Sequence, residues 1–175
     1  HILNEINNTT NLKDRLLLSV NLARITILKG NIEKGIKQWK ELINRADASC
    51  RFEVSMAITE WAIAYELYYY AVDFFEEAMQ AEYMLYATTK DTADVLRNYA
   101  DVLVTCGMQD KSDELWQQAV RLMKAANDLD GLALVYSYWG ATKQDHQAEI
   151  LIAKAIKYWK QAPRAFDDTL SYIHW

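Results

Sequence analysis

Four segments of this chain repeat one arrangement of small and large side chains. In each segment a small residue is followed four positions later by a large apolar residue. The small residues stand 36, 41 and 36 positions apart, a spacing typical of arrays built from two-helix repeats. The segments are GNIEKGIKQWKELI (30–43), ELYYYAVDFFEEAM (66–79), GMQDKSDELWQQAV (107–120) and KQDHQAEILIAKAI (143–156).

The small residues of the four segments predict close contacts between helices. Two antiparallel helices approach closely only where one of them presents little bulk, and a large side chain one turn later fills the space beside the contact. Apolar residues at steps of three and four predict that each segment is a helix. We expect the small residues to be buried against a partner helix, and they are Gly35, Ala71, Ser112 and Ala148.

A helical pattern precedes each of the four segments. Short connections, such as the one around Gly30 and the one around Gly107, join the two members of a pair, and glycine suits the end of a helix. The interval between the second and third small residues is five positions longer than its neighbours. We therefore expect the second helix of the second pair to reach about Tyr86. The preceding helices are predicted at 12–29, 52–65, 92–106 and 132–142.

This arrangement resembles the tetratricopeptide repeat over roughly residues 12–162. The resemblance implies an all-α fold, a right-handed α-solenoid of about four antiparallel helix pairs plus a terminal helix. The fourth pair departs from the family pattern, because Tyr136 stands where the family has a small residue.

The ends of the chain carry further fragments of the helical pattern. Residues 1–10 are interpreted as the tail of a preceding repeat, residues 11–162 as four helix pairs, and residues 163–175 as the start of a further or capping helix. A solenoid needs polar capping repeats at its ends, so we expect the chain to be part of a larger protein. The alternative is a complete small protein whose final helix, 165–175, acts as the cap.

Composition excludes several other classes. One proline and five glycines in 175 residues favour helices over a turn-rich β fold. No apolar run approaches the roughly 20 residues that span a membrane, and no signal peptide is visible. Cys50 and Cys106 lack metal-ligand spacing, which fits a reduced cytoplasmic compartment.

The sequence offers no arrangement of catalytic residues. The three histidines lie far apart, and neither a phosphate-binding loop nor a nucleophile elbow is present. We therefore expect neither an enzyme nor a bound metal or cofactor. A basic and aromatic patch, of the kind that some helical repeats use to bind RNA, is formed by Lys154, Lys157, Lys160 and Arg164 with Tyr158 and Trp159. A solvated helix face is the simpler interpretation.

The resemblance implies that the first helix of each pair lines a concave groove that holds a peptide or helix of another protein. Seven-residue steps place Glu53 and Glu60 on one helix face, and Asp94 and Asp101 on another. Such carboxylates favour a basic or amphipathic ligand, and asparagine amides can hold a peptide backbone. The alternative is that these residues are merely solvated and that Arg97 pairs with Asp101. The predicted groove residues are Asn21, Arg24, Glu53, Glu60, Asp94, Arg97, Asn98, Asp101 and Ser137.

These observations predict a protein–protein interaction module, a scaffold or adaptor that docks a protein or peptide. A nucleic-acid partner is disfavoured because residues 52–130 hold fifteen acidic residues against five basic ones. A membrane partner is not expected. One alternative is a peptide-sensing regulatory domain of a bacterial transcription regulator or signalling ATPase, and another is an RNA-binding helical repeat.

Overall fold

The computed structural model describes residues 5–6, 9–81, 84 and 87–162. Within these residues the chain forms eight complete helices and no strand, so the predicted all-α class is confirmed. The helices are α1 (Leu12–Leu28), α2 (Ile32–Arg45), α3 (Arg51–Ala64), α4 (Tyr68–Met79), α5 (Thr89–Thr105), α6 (Gln109–Ala125), α7 (Leu129–Ala141) and α8 (His146–Gln161).

The contacts divide the chain into two compact units, His1–Ala87 and Thr88–Trp175. The N-terminal unit contains α1 to α4 and the C-terminal unit contains α5 to α8. In each unit, consecutive helices pack as two hairpins, and the first helices of the two hairpins also touch each other. The boundaries predicted at residues 10 and 162 remain predictions, and residues 163–175 lie outside the described part.

Three of the four helices that come first in their hairpins begin with a side-chain cap. The Asn11 side chain accepts a hydrogen bond from the Lys13 N–H at 2.8 Å at the start of α1. Thr88 accepts from the Asp91 N–H at 3.1 Å before α5, and Asp128 accepts from the Gly131 N–H at 2.8 Å before α7. Each cap satisfies a backbone donor that the helix itself cannot pair.

The connections inside the first three hairpins share one backbone geometry. Gly30 and Gly107 adopt positive φ angles of 85° and 75°, and Glu66 occupies the same place with φ of 58°. In each case the next residue donates its N–H to the carbonyl five positions back, as when Leu67 donates to Ala62 at 2.8 Å. This pattern is the Schellman motif, in which glycine is the residue of lowest cost.

Three of the four small residues lie at close helix contacts, as predicted. Gly35, Ala71 and Ser112 are buried. A Cβ added at Gly35 would overlap the side chain of Ile27 and lie 3.2 Å from the Ala23 carbonyl oxygen. The Ser112 hydroxyl donates to the Ala100 carbonyl at 2.9 Å across its own hairpin.

The prediction for Ala148 is wrong, because this residue is only half-buried. The fourth hairpin meets the same steric need from its first helix. A Cβ added at Gly140 of α7 would lie 2.8 Å from the Ile152 Cδ1 atom of α8. Tyr136, the departure from the family pattern, is buried and stacks on Tyr158 with ring centroids 5.7 Å apart.

The large residues that follow the small ones form the cores of the hairpins. Trp39, Phe75 and Trp116 are each at most 1% exposed. The Trp39 indole N–H donates to the Val20 carbonyl of α1 at 3.2 Å, and its ring meets Phe74 edge to face at 6.1 Å. Ile152, the fourth of the series, is half-buried.

The extension of α4 to Tyr86 is also wrong, because α4 ends at Met79. The Ala81 N–H donates to the Ala78 carbonyl, three residues back. An α-helix would instead use the carbonyl four residues back, so the helical pattern has ended. Helix α5 accounts for part of the five extra positions between the second and third small residues. It begins at Thr89, earlier than the sequence pattern indicated, because Thr88 caps it there.

Asp113 links the two hairpins of the C-terminal unit. Its carboxylate accepts hydrogen bonds from the Trp139 indole at 2.9 Å, from Gln109 at 3.1 Å and from the Lys143 ammonium group at 2.6 Å. Burial alone would raise the pKa of Asp113, but these bonds outweigh burial and lower that pKa. The carboxylate therefore stays ionised and ties α6 to the end of α7.

A bulky side chain at position 35 should destabilise the first hairpin. We expect Gly35→Leu to lower the free energy of unfolding by about 1–3 kcal/mol, because the added atoms overpack the contact with Ile27. Urea denaturation followed by circular dichroism measures the change. Lys37→Leu, at an exposed position of the same helix, is the control and should change little. Equal stability of the Gly35→Leu variant and the unmodified chain would contradict the close contact.

Replacing Glu66 with glycine should stabilise the second hairpin. A non-glycine residue in the left-handed region costs about 1–2 kcal/mol, so Glu66→Gly should raise the free energy of unfolding by about 1 kcal/mol. Glu66→Ala keeps the Cβ atom and should bring no such gain. The same urea titration compares the two variants, and an equal effect of both would show that φ at this position is not the source of strain.

Candidate functional site

One side of α1 and one side of α3 form a shared surface in the N-terminal unit, which we call the α1/α3 face. The Lys13 ammonium group of α1 lies 3.5 Å from the Glu53 carboxylate of α3. Further along, the Arg24 guanidinium of α1 lies over the Trp61 ring of α3. The two contacts follow both helices in the same order, so α1 and α3 run parallel here.

Arg24 is held against an aromatic ring. Its Cζ atom lies 3.9 Å from the Trp61 ring centroid, and the Trp61 ring in turn stacks on Tyr65 at 5.9 Å. Arg24 makes no ion pair among the described residues, and its Nε atom is buried there without a hydrogen-bond partner. The guanidinium is thus fixed in position while its charge has no counter-ion from the described residues.

The other predicted residues of the α1/α3 face differ in how many hydrogen bonds and ion pairs they make within the described part of the chain. Glu53 pairs through one oxygen with Lys13, and its second oxygen is buried without a partner among the described residues. The Asn21 amide donates to the Leu17 carbonyl of its own helix at 3.3 Å. Glu60 is exposed and forms no ion pair within the described ranges. Glu60 is therefore the most available carboxylate of the α1/α3 face.

The C-terminal unit has a corresponding surface, formed by α5 and α7, which we call the α5/α7 face. Arg97 of α5 lies 5.1 Å from the ring centroid of Tyr138 of α7, and 3.2 Å from the Asp94 carboxylate. Asp94 and Arg97 line a shallow cleft of about 130 Å³ together with Lys90 and Leu134. The alternative pairing of Arg97 with Asp101 is wrong as an ion pair, because Arg97 contacts Asp94 instead.

Asp101 lies on α5 one turn beyond Arg97 and is partly buried. Burial raises the pKa of Asp101 to about 6, against the attraction of Arg97, which lowers it. Asn98 is exposed, so its amide is accessible, whereas Ser137 of α7 is half-buried. The structure therefore leaves Asn98 available on α5, and Asp101 becomes ionised only as the pH rises through about 6.

Sequence reasoning missed the aromatic residues Trp61, Tyr65 and Tyr138. A spacing signal was present, because Trp61 follows Arg24 by 37 positions and Tyr138 follows Arg97 by 41, each close to one repeat. An arginine over the ring of an adjacent helix is a cation–π contact, which contributes roughly 0.5–1 kcal/mol at an exposed site.

The described residues offer neither a metal site nor a membrane span. No group of three or more histidine, cysteine or acidic side chains is arranged to hold a metal ion in the part of the chain described. Among the helices described, none combines the length and apolarity needed to cross a bilayer.

Sequence comparison places this chain beside a curated protein. No known protein-family model matches the chain. The chain is 31% identical over 110 residues to the photosystem I assembly protein Ycf3 of Rippkaea orientalis (strain PCC 8801 / RF-1). The match covers 60% of this chain and 57% of that relative, so it spans little more than half of the relative's length.

Structure comparison extends over most of the chain. BtubC (BKLC) from P. vanneervenii aligns with a TM-score of 0.64 and 15% identity, over 90% of this chain and 67% of that one. MamA aligns with a TM-score of 0.55 and 17% identity, over 91% of this chain and 81% of that one. Both of these solved structures therefore share the helical fold of this chain. At these identities the structural likeness of the repeat establishes the fold, and the predicted solenoid class is confirmed.

Neutralising Asp101 should change how stability depends on pH in this repeat protein. The raised pKa means that folding disfavours the ionised form of Asp101. The contribution of Asp101 to the free energy of unfolding is therefore fully present below its ordinary pKa of 3.8, and it is lost as the pH rises through about 6. Asp101→Asn should therefore melt at a higher temperature than the unmodified chain at about pH 7, with the difference vanishing near pH 4.

Thermal melts of both proteins at a series of pH values measure this difference. Other carboxylates titrate in both proteins, so their effect cancels in the comparison. Asp110→Asn, at an exposed position of α6, is the matched control and should track the unmodified chain. A constant difference between Asp101→Asn and the unmodified chain across the series would contradict the burial of this carboxylate.

Proposed function

We propose that this chain is a protein-interaction module that docks a peptide or helix of a partner on its α1/α3 and α5/α7 faces. The observation that carries the proposal is the state of the α1/α3 face. Arg24 is held there over the Trp61 ring of the neighbouring helix, and neither Arg24 nor the exposed Glu60 forms an ion pair among the described residues. Groups that are fixed but not neutralised from within are suited to an external ligand.

The comparisons support an interaction or assembly role. The sequence relative is named as a photosystem I assembly protein, and the repeat fold is one that other proteins use as a scaffold. We propose that this chain likewise helps to assemble or hold other proteins, as part of a longer protein or complex. The partner of the relative is not thereby assigned to this chain.

The side chains of the two faces indicate the chemistry of the ligand. The exposed carboxylate of Glu60 favours a basic group nearby, and the exposed amide of Asn98 can both donate to and accept from a peptide backbone. Trp61 and Tyr65 are partly exposed rings, and such rings are frequent anchors of protein interfaces. A basic or amphipathic segment meets these requirements.

Reversing the charge of Glu60 should weaken partner binding without unfolding the protein. The probe is a set of peptides selected from a random twelve-residue library on the unmodified chain. We expect Glu60→Lys to weaken their binding about three- to tenfold in calorimetry, because a favourable charge contact becomes a repulsive one.

The control is Glu41→Lys, which reverses an exposed carboxylate on α2, a second helix of its hairpin. Both variants should keep the circular dichroism spectrum of the unmodified chain. Equal effects of the two substitutions on affinity would mean that the peptides do not bind at the α1/α3 face. Failure to select any peptide would count against the docking function altogether.

A further inference from the structure

We propose that this chain assembles with copies of itself, through an acidic cleft between α2 and α4 on one copy and a basic face of α8 on another copy. Neither surface belongs to the α1/α3 face or to the α5/α7 face, so this self-assembly is a property beyond the docking function proposed above. The two surfaces carry opposite charges and lie at equivalent positions of their repeats.

The cleft lies between the second helices of the two hairpins in the N-terminal unit, and we call it the α2/α4 cleft. Its volume is about 310 Å³, and the buried side chains of Ile43 and Phe74 give it an apolar base. Three carboxylates of α4 and one ammonium group of α2 stand around that base. The polar lining residues are Lys40, Asn44, Asp73, Glu76, Glu77 and Gln80. The lining is therefore acidic as a whole.

The ion pairs at the α2/α4 cleft are exposed. The Lys40 ammonium group lies 3.3 Å from the Asp73 carboxylate, and the Arg51 guanidinium lies 3.7 Å from the Glu77 carboxylate. All four side chains are more than a third exposed. Exposed pairs of this kind contribute little to stability, so a carboxylate can exchange one cationic partner for another at small cost. A lysine of another molecule can therefore compete for these carboxylates.

Helix α8 presents the opposite charge. From Ile150 to Gln161 it contains three lysines and no acidic residue. The three lysines are exposed, and none of them forms an ion pair among the described residues. Steps of three and four place them on one side of the helix together with Ile150, which is 43% exposed. We call this side the basic face of α8, and its residues are Ile150, Lys154, Lys157 and Lys160.

The α2/α4 cleft and the basic face of α8 share their positions within the repeat. The small residues Ala71 of α4 and Ala148 of α8 stand 77 positions apart, and the same shift relates the outer sides of the two helices. The corresponding pairs are Asp73 and Ile150, Glu76 and Ala153, Glu77 and Lys154, and Gln80 and Lys157. The repeat fold thus accepts either charge at these positions, so the acidity of α4 and the basicity of α8 are not required for folding.

The spacing of the charges matches the two surfaces to each other. Lys154 and Lys157 are three residues apart on their helix, which is a rise of about 4.5 Å, and Asp73 and Glu76 are separated by the same rise. Two ammonium groups can therefore meet two carboxylates at once. Ile150, one turn before Lys154, is then placed to pack on the apolar base of the cleft. Helix α8 of a second copy is the occupant whose charge and apolar contact both fit.

The proposed contact joins two different surfaces, so it is a heterologous contact. A pair of copies keeps one unused cleft and one unused basic face, and further copies can add to it. Because opposite charges attract the two surfaces, dissolved salt screens the contact. We therefore expect association that rises with protein concentration and falls with ionic strength.

Sedimentation velocity of the full chain measures this association, at protein concentrations up to about 0.5 mM and at low and high salt. One variant, Glu76→Lys with Glu77→Lys, reverses the charge of the cleft. A second variant, Lys157→Glu with Lys160→Glu, reverses the charge of the basic face. Each variant should weaken association about tenfold or more, because it replaces attraction between the surfaces with repulsion.

The matched control is Asp110→Lys with Glu114→Lys. It changes the net charge by the same amount as the cleft variant, at two exposed positions of α6. The control should associate as the unmodified chain does. Circular dichroism checks that all variants keep the helical spectrum. Should a double variant lose that spectrum, the single substitutions Glu77→Lys and Lys157→Glu take its place.

Mixing the two reversed variants gives the sharpest result. The cleft variant keeps an intact basic face, and the α8 variant keeps an intact cleft. One molecule of each should therefore form a pair that cannot grow further, although neither variant associates alone. A chain that carries all four reversals should associate with itself again, because its charges are exchanged and not removed.

Three results would overturn the proposal. An unmodified chain that stays monomeric at every concentration would do so, and the cleft would then be left to a basic segment of another protein. Association that neither reversal weakens would show that copies meet through other surfaces. Reversed variants that do not associate alone and do not pair when mixed would show that the two surfaces are not partners. Peptide docking on the α1/α3 face is measured separately, and its failure would not change any of these results.

Discussion

The close approach of the two helices in each hairpin is the constraint on which the rest of the structure depends. It requires a position without bulk, which Gly35 provides against Ile27, and Ser112 provides with a hydrogen bond to Ala100. Once the hairpin is closed, the large residue one turn later, such as Trp39, is driven into the core. The opposite side of each first helix is then left for the side chains of the two faces, because the core is built elsewhere.

Within each unit, the first helices of the two hairpins contact each other through an arginine packed on an aromatic ring. Such a contact does not neutralise the charge of the arginine. An arginine packs on the ring of the neighbouring first helix in both units, Arg24 on Trp61 and Arg97 on Tyr138. Such contacts stabilise the pairing of helices modestly, by roughly 0.5–1 kcal/mol each. Their larger consequence is positional, because they hold long and otherwise mobile cationic side chains at fixed points of a surface.

The fold was predictable from sequence to the extent that local periodicity decides it. Buried small and large residues recur at repeat spacing, so the hairpins could be located, but Ala148 misled because Gly140 on the partner helix supplies the space instead. Either helix can satisfy the steric requirement, and periodicity does not say which. The faces remain predictions, and the contacts of Arg24 with Trp61 and of Arg97 with Tyr138 depend on distances between helices that the sequence does not give. Within α5 itself, Arg97 pairs with Asp94, which precedes it by three residues, and not with Asp101, which follows it by four. An acidic residue that precedes the basic one is the better orientation on a helix.

Asp113 gives the C-terminal unit a property that single hairpins lack. Its carboxylate lies in the third hairpin and its partners Trp139 and Lys143 belong to the fourth, so these bonds join the two hairpins. In a linear array the sharpness of melting depends on the coupling between neighbours, not on the stability of each repeat alone. A side chain bonded across the boundary between two hairpins adds to that coupling, and so favours melting of the two hairpins together.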